Sequence, residues 1–484
     1  MQQALHIFLK DTRRFRHLIL LLQSWTCVFA YAAVQESAFW NLPVGYDWSG
    51  SVVRTASVLY PLAWWLLISE VVRSESLVGD RQFWLTRPYG RGQLVGAKAL
   101  FVLAYLVAPL LVAQALIIAF LGLPLLPALP ALAWNGVLLV AVYVLPAAAV
   151  AAVTSSLVQF VMAMAVALAV MMFGVLRPLT QWAGFWWIPV LLALLVLLTA
   201  VVSALAVQYR SRRSLAARML VYTGTFGAIL IVHGVPWITA FRVQAMVPNP
   251  WSGRMTAALM PPAEAPEGFV RAGGPMWIGY VLSGVDALSP IACEAATVTI
   301  EGRDGHTWTS GRVTDTARRV TTDGAGCFFT LRPSESFKEL VGNSPVTVRA
   351  TLHATVFRSS RTLVPVDQPP VRIPRVGICR ATNPPTPPRA MPVTWAACDN
   401  AFAPPAGVIS EGLSGGINAS AAESYAPLPL LPQIMPVRRI QRMLGRTGTV
   451  AVDDWEPIAH LTVEAEPATL ADINGLNPIV RGNE

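Results

Sequence analysis

Long apolar runs separated by short charged loops fill the first half of the chain, and then the pattern changes. A helix needs about 20 apolar residues to cross a bilayer core. Seven stretches come near that length, at 18–33, 52–72, 95–121, 129–154, 157–176, 185–207 and 219–241. The second run ends in Ser69 and Glu70, and the fourth follows Pro124, Pro127 and Pro130, so a loop is expected to lead into it. From residue 276 apolar and polar positions alternate in short runs instead. Val346-Thr347-Val348-Arg349-Ala350-Thr351-Leu352 has the two-residue period of a half-buried strand. The expected architecture is an α-helical membrane domain of about seven transmembrane helices over 18–241. A linker at 242–275 leads from it to a β-rich, sandwich-like domain over 276–484.

Within that second domain the strand candidates are ATVTIEG, CFFTLRP, SPVTVRATLHATVF, RTLVPV, RIPRVGICR and PVTWAAC, with turn signals between them. A Pro-rich stretch over 403–436 leads to VRRIQRMLGR, a short basic helix candidate, and then to two further strand candidates.

The segment ahead of the first span has its own periodicity. Leu5, Phe8, Leu9 and Phe15 fall on one helical face, with Lys10, Arg13, Arg14 and His17 around the rest. That predicts an amphipathic interfacial helix over 1–17, although a basic tail that only fixes topology has the same composition. Ala30-Tyr31-Ala32 imitates a signal-peptidase site. The basic region before it is long, however, and Gln23, Ser24 and Trp25 interrupt the apolar core, so a retained transmembrane helix is expected.

Composition agrees with the pattern: 54% of the 484 residues are hydrophobic and 13% are charged, against about 25% charged in a soluble protein. The net charge of +9 need not signal nucleic acid, because most of the basic residues of the first half sit in short loops. With the N-terminus in the cytoplasm, the inside loops hold Lys10, Arg13, Arg14 and Arg16, then Arg73, Arg81, Arg87, Arg91 and Lys98, then Arg210, Arg212, Arg213 and Arg218. The outside loops hold only Arg54 and Arg177. This is the positive-inside distribution, and seven spans then place the β-rich domain outside. Four cysteines lie in that domain: Cys293, Cys327, Cys379 and Cys398. In an oxidising compartment they allow two disulfides with three connectivities. Cys379–Cys398, which flanks a Pro-rich loop, and Cys293–Cys327 are the preferred pairs; four buried thiols are the other reading.

Familiar catalytic patterns are missing. There is no G-x-x-x-x-G-K-[ST] loop, no H-E-x-x-H and no C-x-x-C, so no catalytic, cofactor-binding or metal-ligating residues are expected in the chain. Gly412-Leu413-Ser414-Gly415-Gly416 matches G-x-S-x-G, with Asp453, Asp454 and His460 downstream. A nucleophile elbow needs a strand before it and a helix after it, whereas this match lies in a Gly/Ser loop. His233, the one histidine deep in a span, reads best as a packing or helix-end group.

One loop holds more order than topology requires. Between the second and third runs stand Glu75, Gly79-Asp80, Phe83-Trp84-Leu85, Arg87-Pro88, Arg91 and Lys98. Either the arginines only set orientation and Trp84 sits in the membrane interface, or a partner docks there. The order resembles the loop between the second and third helices of ABC-2-type transporter permeases, with Glu75, Gly79, Leu85, Pro88, Arg91, Leu94, Val95 and Lys98 in the matching places. Leu9-Lys10-Asp11 with Arg13-Arg14 is similar to the amphipathic N-terminal helix of that family. The resemblance covers residues 1 to about 210; the seventh span and the large outer domain depart from the simplest members.

The resemblance implies a membrane subunit of a bacterial ABC exporter in the inner membrane, surrounded by lipid and working as a homo- or hetero-dimer. ATP would be bound by a separate ATP-binding cassette subunit docked on 73–98, with Glu75, Gly79, Asp80, Trp84, Arg87, Pro88, Arg91 and Lys98 as the docking loop. The alternative is a non-transporting membrane-anchored sensor or assembly protein whose β-domain binds a ligand or partner. Neither reading names a cargo.

Overall fold

The structure, a computed structural model, describes residues 2–38, 48–74, 90–176, 185–211, 213–246, 253–260, 276–284, 289–314, 320–321, 326–342, 344–383, 393–402, 407–410, 431–445, 447–471 and 473. Seven helices among them are long and apolar enough to cross a membrane: Gln2–Gln35, Gly50–Arg73, Gly92–Phe120, Leu125–Val153, Leu157–Val175, Trp187–Ser211 and Ser214–Gly234. They are called the first to seventh helices below.

The first helix is unbroken from Gln2 to Ala38, so the N-terminal amphipathic segment runs straight into the first span. Its buried positions, Ile7, Asp11, Phe15, Ile19, Leu22, Thr26, Phe29 and Ala33, recur every three or four residues and form one stripe. Of the four residues expected on the apolar face of an interfacial helix, Leu5 and Leu9 are 51% and 47% exposed, while the other two meet tertiary partners. Ile7 packs with Leu94 and Ala97, Phe8 stacks on Tyr105, and Phe15 meets Phe101 edge to face.

The third and fourth helices each contain a π-helical segment, Leu103–Val107 and Leu139–Val144. Each segment ends two residues before a proline, Pro109 or Pro146. Proline has no N–H and collides with the carbonyl four residues back, and widening the helix just ahead of it relieves that collision. The carbonyl deprived by Pro109 is that of Tyr105, and Gln23 of the first helix donates to it from Nε2 at 2.8 Å. The fourth helix begins at Leu125, ahead of the expected boundary, so Pro127 and Pro130 lie in its opening turns and not in a loop. The last apolar run divides. The seventh helix stops at Gly234, Pro236 is extended (φ −69°, ψ 140°), and a short helix, Trp237–Ala245, follows.

The C-terminal region folds into three antiparallel sheets. One has the order β1 (Thr256–Leu259), β2 (Met276–Ser283), β6 (Gly326–Leu331). The second runs β12 (Val437–Gly445), β10 (Val393–Ala401), β9 (Gly377–Thr382), β8 (Val371–Ile373). The third, of seven strands, runs β11 (Gly407–Ser410), β13 (Thr449–Glu464), β7 (Val346–Pro365), β3 (Ile291–Gly302), β4 (Thr307–Val313), with β14 (Ala468–Leu470) paired to β7 and β5 (Val320–Thr321) to β3. The organising strand is β7 (Val346–Pro365), into which two of the expected strands fuse. Its even positions Val346, Val348, Ala350, Leu352 and Ala354 pack against β2 (Met276–Ser283) and β6 (Gly326–Leu331). Val364, at the far end, packs against the sheet of β9 (Gly377–Thr382) and β10 (Val393–Ala401). The odd positions His353, Thr355 and Phe357 are buried too, on the opposite face, where the helical domain lies.

VRRIQRMLGR, expected as a helix, forms β12 (Val437–Gly445) in register with β10 from Val393↔Gly445 to Ala401↔Val437. Nine paired residues outweigh a weak local helix preference, as tertiary context commonly does.

The four cysteines form two disulfides. Cys379 and Cys398 stand directly opposite on β9 and β10. Cys293 on β3 (Ile291–Gly302) joins Cys327 on β6 and fastens the three-stranded sheet to the seven-stranded one.

Candidate functional site

Three neighbourhoods combine buried polar chemistry with a position between elements. The first lies where the second helix ends and the third begins. Lys98 on the third helix reaches Asp11 on the first, Nζ to Oδ2 at 2.7 Å, with side-chain exposures of 7% and 2%. The same Nζ donates to Ser74 Oγ at the end of the second helix, 3.0 Å away. One ammonium thus ties three helices together. Burying both charges carries a desolvation penalty that their short contact offsets, while an unpartnered charge there would be strongly destabilising. Ile7, Leu94 and Ala97 form the apolar floor beside it, with Tyr209 of the sixth helix against them.

The second neighbourhood is at the other end of the same helices. Gln114 and Asn135 are buried on the third and fourth helices, 0% and 1% exposed. Both serve a segment of the β-domain. Asn135 pairs with both main-chain polar groups of one residue: its Nδ2 donates to Gln433 O (2.9 Å) and its Oδ1 accepts from Gln433 N (2.8 Å). Gln114 Nε2 donates to the carbonyls of Gln433 and Ile434 at 2.7 and 2.8 Å, and its Oε1 accepts from Asn135 Nδ2 at 3.1 Å. Ile434, Val437 and Phe402 join the apolar core of the bundle around them. Polar side chains in hydrocarbon are expensive unless satisfied, and these two satisfy backbone that would otherwise be orphaned.

The third neighbourhood is an aromatic seat. Phe185, Trp237 and Phe241 from the helical domain pack with Ala292, Ala295, Phe357 and Trp455 of the β-domain. Two histidines are set into it. His353 lies 4.9 Å from the Phe241 ring and 5.3 Å from Trp237, and His460 lies 5.5 Å from Phe185. Thr355 donates its hydroxyl proton to Glu294 Oε1 at 2.8 Å and stands 3.0 Å from His460 Nδ1. With that proton committed, Thr355 accepts from Nδ1–H, which fixes the His460 tautomer. His353 Nδ1 meets Thr462 Oγ1 at 3.1 Å. Burial, with the Arg242 charge adding to it, pushes His353 down to about 4, and burial does the same to His460. Both rings are therefore neutral at pH 7.

Of the expected docking residues, Glu75, Gly79, Asp80, Trp84, Arg87 and Pro88 lie outside the described residues. Arg91 opens the third helix, and Lys98 is the centre of the three-helix tie. Ser414 of the G-x-S-x-G match is also outside the described residues. The acidic residues and histidine downstream of it are engaged elsewhere: Asp453 is bound by Arg361 at 2.7 and 3.0 Å, Asp454 is paired with Arg375 at 3.4 Å, and His460 is in the aromatic seat. His233 meets the Gly174 carbonyl at 3.0 Å, a helix-end contact. No group of three or more His, Cys, Asp or Glu able to hold a metal occurs among the described residues.

Gln114, Asn135 and Gln433 are not singled out by the sequence, and Asp11 enters there only as part of Leu9-Lys10-Asp11, without its partner. Gln114 and Asn135 were visible as lone amides inside apolar runs, but their shared ligand was not.

No family model, no curated protein and no solved structure matches the chain.

Proposed function

We propose that the chain is the membrane-spanning permease subunit of an ABC-type exporter in a bacterial inner membrane. Its N-terminus is cytoplasmic, its β-domain is outside, and a separate ATP-binding subunit docked on the 73–98 loop energises it. The observation that carries this reading is the buried Lys98 tie to Asp11 and Ser74. A partner pushing on the loop would move the ends of the first three helices as one body, because one ammonium holds all three. The orientation rests on basic residues concentrated in alternate loops and on two disulfides in the C-terminal region, which an oxidising compartment favours. ATP belongs to the partner, and this chain performs no chemistry on it.

The test is a docking variant, Trp84→Ala with Arg87→Ala, purified from native membranes. The exporter reading expects loss of an ATP-hydrolysing partner while the membrane subunit itself stays folded; retention of that partner refutes it. The amide clamp on Gln433 supports a second reading, a non-transporting sensor or assembly protein in which ligand capture by the β-domain is relayed to the helices. That reading expects no ATPase partner, and function that survives the same double substitution.

A further inference from the structure

We propose that residues 431–436 are a releasable plug, seated in an intramembrane site that Gln114 and Asn135 form for peptide backbone. Depth supports this. Gln114 lies six residues inside the Phe120 end of its helix and Asn135 ten residues inside the Leu125 end, or about 9 and 15 Å at 1.5 Å per residue. Both helices run 29 residues, about 43 Å at 1.5 Å per residue and longer than an apolar layer about 30 Å thick; the β-domain segment passes their ends and reaches in among the apolar core of the bundle, which simple docking on the helix ends does not require.

The chemistry of the seat is that of a site with a ligand in it. Asn135 reads both the N–H and the C=O of one residue, and Gln114 bridges two successive carbonyls. All these bonds go to main-chain atoms, so the site recognises an extended peptide and not a particular side chain. No ion pair or disulfide among the described residues ties the segment to the helices. Gln433 Oε1 is buried without a hydrogen-bond partner among the described residues, and such an atom costs about 1–3 kcal/mol, a cost that weighs towards release. Pro432 and Pro436 bracket the segment and keep it from joining either a helix or the β12 ladder at those positions.

The helices that hold the plug are built to move. Below the seat, Leu103–Val107 and Leu139–Val144 are π-helical, and π segments mark points where helices deform at functional sites. The outer parts of the third and fourth helices, Ala108–Phe120 and Leu125–Leu138, form a hairpin hinged at these two segments. Its two arms meet directly, with Asn135 Nδ2 donating to Gln114 Oε1, and the plug adds the bonds that bridge them. Releasing the plug removes those bridging bonds and uncovers the β-domain end of the hairpin. In the exporter, cargo leaving at that end has to displace it; this role rests on the permease reading, but the plug itself is testable without any ATPase.

The experiment places a single reactive thiol on the plug, Ile434→Cys, in a Cys27→Ser background with both disulfides intact, and follows labelling by a water-soluble maleimide in purified protein. Ile434 is 6% exposed, so labelling is expected to be slow with the clamp intact. Replacing the clamp by Gln114→Leu with Asn135→Leu leaves the Gln433 and Ile434 main-chain groups without partners, and should speed labelling by at least about tenfold while the protein stays folded and oxidised. Where the double variant does not fold, Asn135→Leu alone decides the matter, with an acceleration of at least about threefold expected. Fast labelling with the clamp intact would show that the plug is never seated. Unchanged protection in the variants would show that the amides do not hold it. Acceleration that appears only together with global unfolding would show a fixed structural core. Each of these three results overturns the proposal.

Discussion

Lowering the pH should loosen the β-domain from its aromatic seat, and the size of the effect follows from His353. Its folded pKa of about 4 lies below the ordinary value of about 6.5 in an unfolded chain. Between those values the unfolded chain binds the proton and the folded protein does not, so stability falls as pH falls through that window. The contribution is complete above pH 6.5 and is exhausted near pH 4. A difference of 2.5 units at 1.36 kcal/mol each gives about 3 kcal/mol for His353. His460, also held down to about 4 by burial, acts in the same direction.

The cations near the two rings oppose a further positive charge: Arg242 repels one on His353 and Arg312 lies over the Trp237 ring at 5.0 Å. Glu294, which accepts from the Thr355 hydroxyl, is the one acidic group in this set and stands on the His460 side, so the figure is worked for His353. The assay is thermal unfolding in detergent, read by tryptophan fluorescence, at steps from pH 7.5 to 4.5. Trp237 and Trp455 are buried in the interface and report its opening. The comparison is with His353→Gln/His460→Gln, which cannot take up these protons. Ionisable groups other than the two histidines are common to both proteins and cancel in the difference. The parent should lose several kcal/mol more than the variant over this range. Equal losses would refute the argument.

Three further outcomes follow from the packing. Asp11→Asn or Lys98→Met alone should destabilise the protein by about 3–5 kcal/mol, because one buried charge is stranded, whereas the double replacement Asp11→Leu/Lys98→Met should recover most of that loss; chemical or thermal melts of the three variants decide it. Gly224→Leu should separate the sixth and seventh helices, since even a Cβ at this position overlaps Ala200 Cβ, and a cysteine pair spanning the two helices should then fail to cross-link. Cys379→Ser/Cys398→Ser opens a loop closed over 19 residues and should cost about 3 kcal/mol, read as a lower melting temperature without reductant, with Cys293–Cys327 still oxidised.

Local pattern carried much of this architecture. Seven apolar runs are seven helices, and the alternation at Val346–Leu352 is half of a strand whose other face the sequence could not assign. From Leu352 to Phe357 every residue of β7 is buried, because one face meets the other sheets and the opposite face meets the helical domain. A period of two cannot be read where both faces are covered. Long-range pairing hid the rest. Asp11 and Lys98 are 87 residues apart, and Gln114 and Ile434 are 320 apart, so neither spacing nor local chemistry joins them. The strand at Val437–Gly445 was misread for a related reason: its partner β10 is remote, and its arginines are as acceptable on a helix as on a strand. The loop proposed for docking is legible only as an order of residues, of which Lys98 acquires a buried partner among the described residues.

The most direct test of the permease reading is the identity of what co-purifies with the chain from native membranes at native expression. The account predicts a P-loop ATPase in stoichiometric amount, held through the 73–98 loop. Purification of the chain alone, with no P-loop protein bound under conditions that preserve the fold, would contradict it.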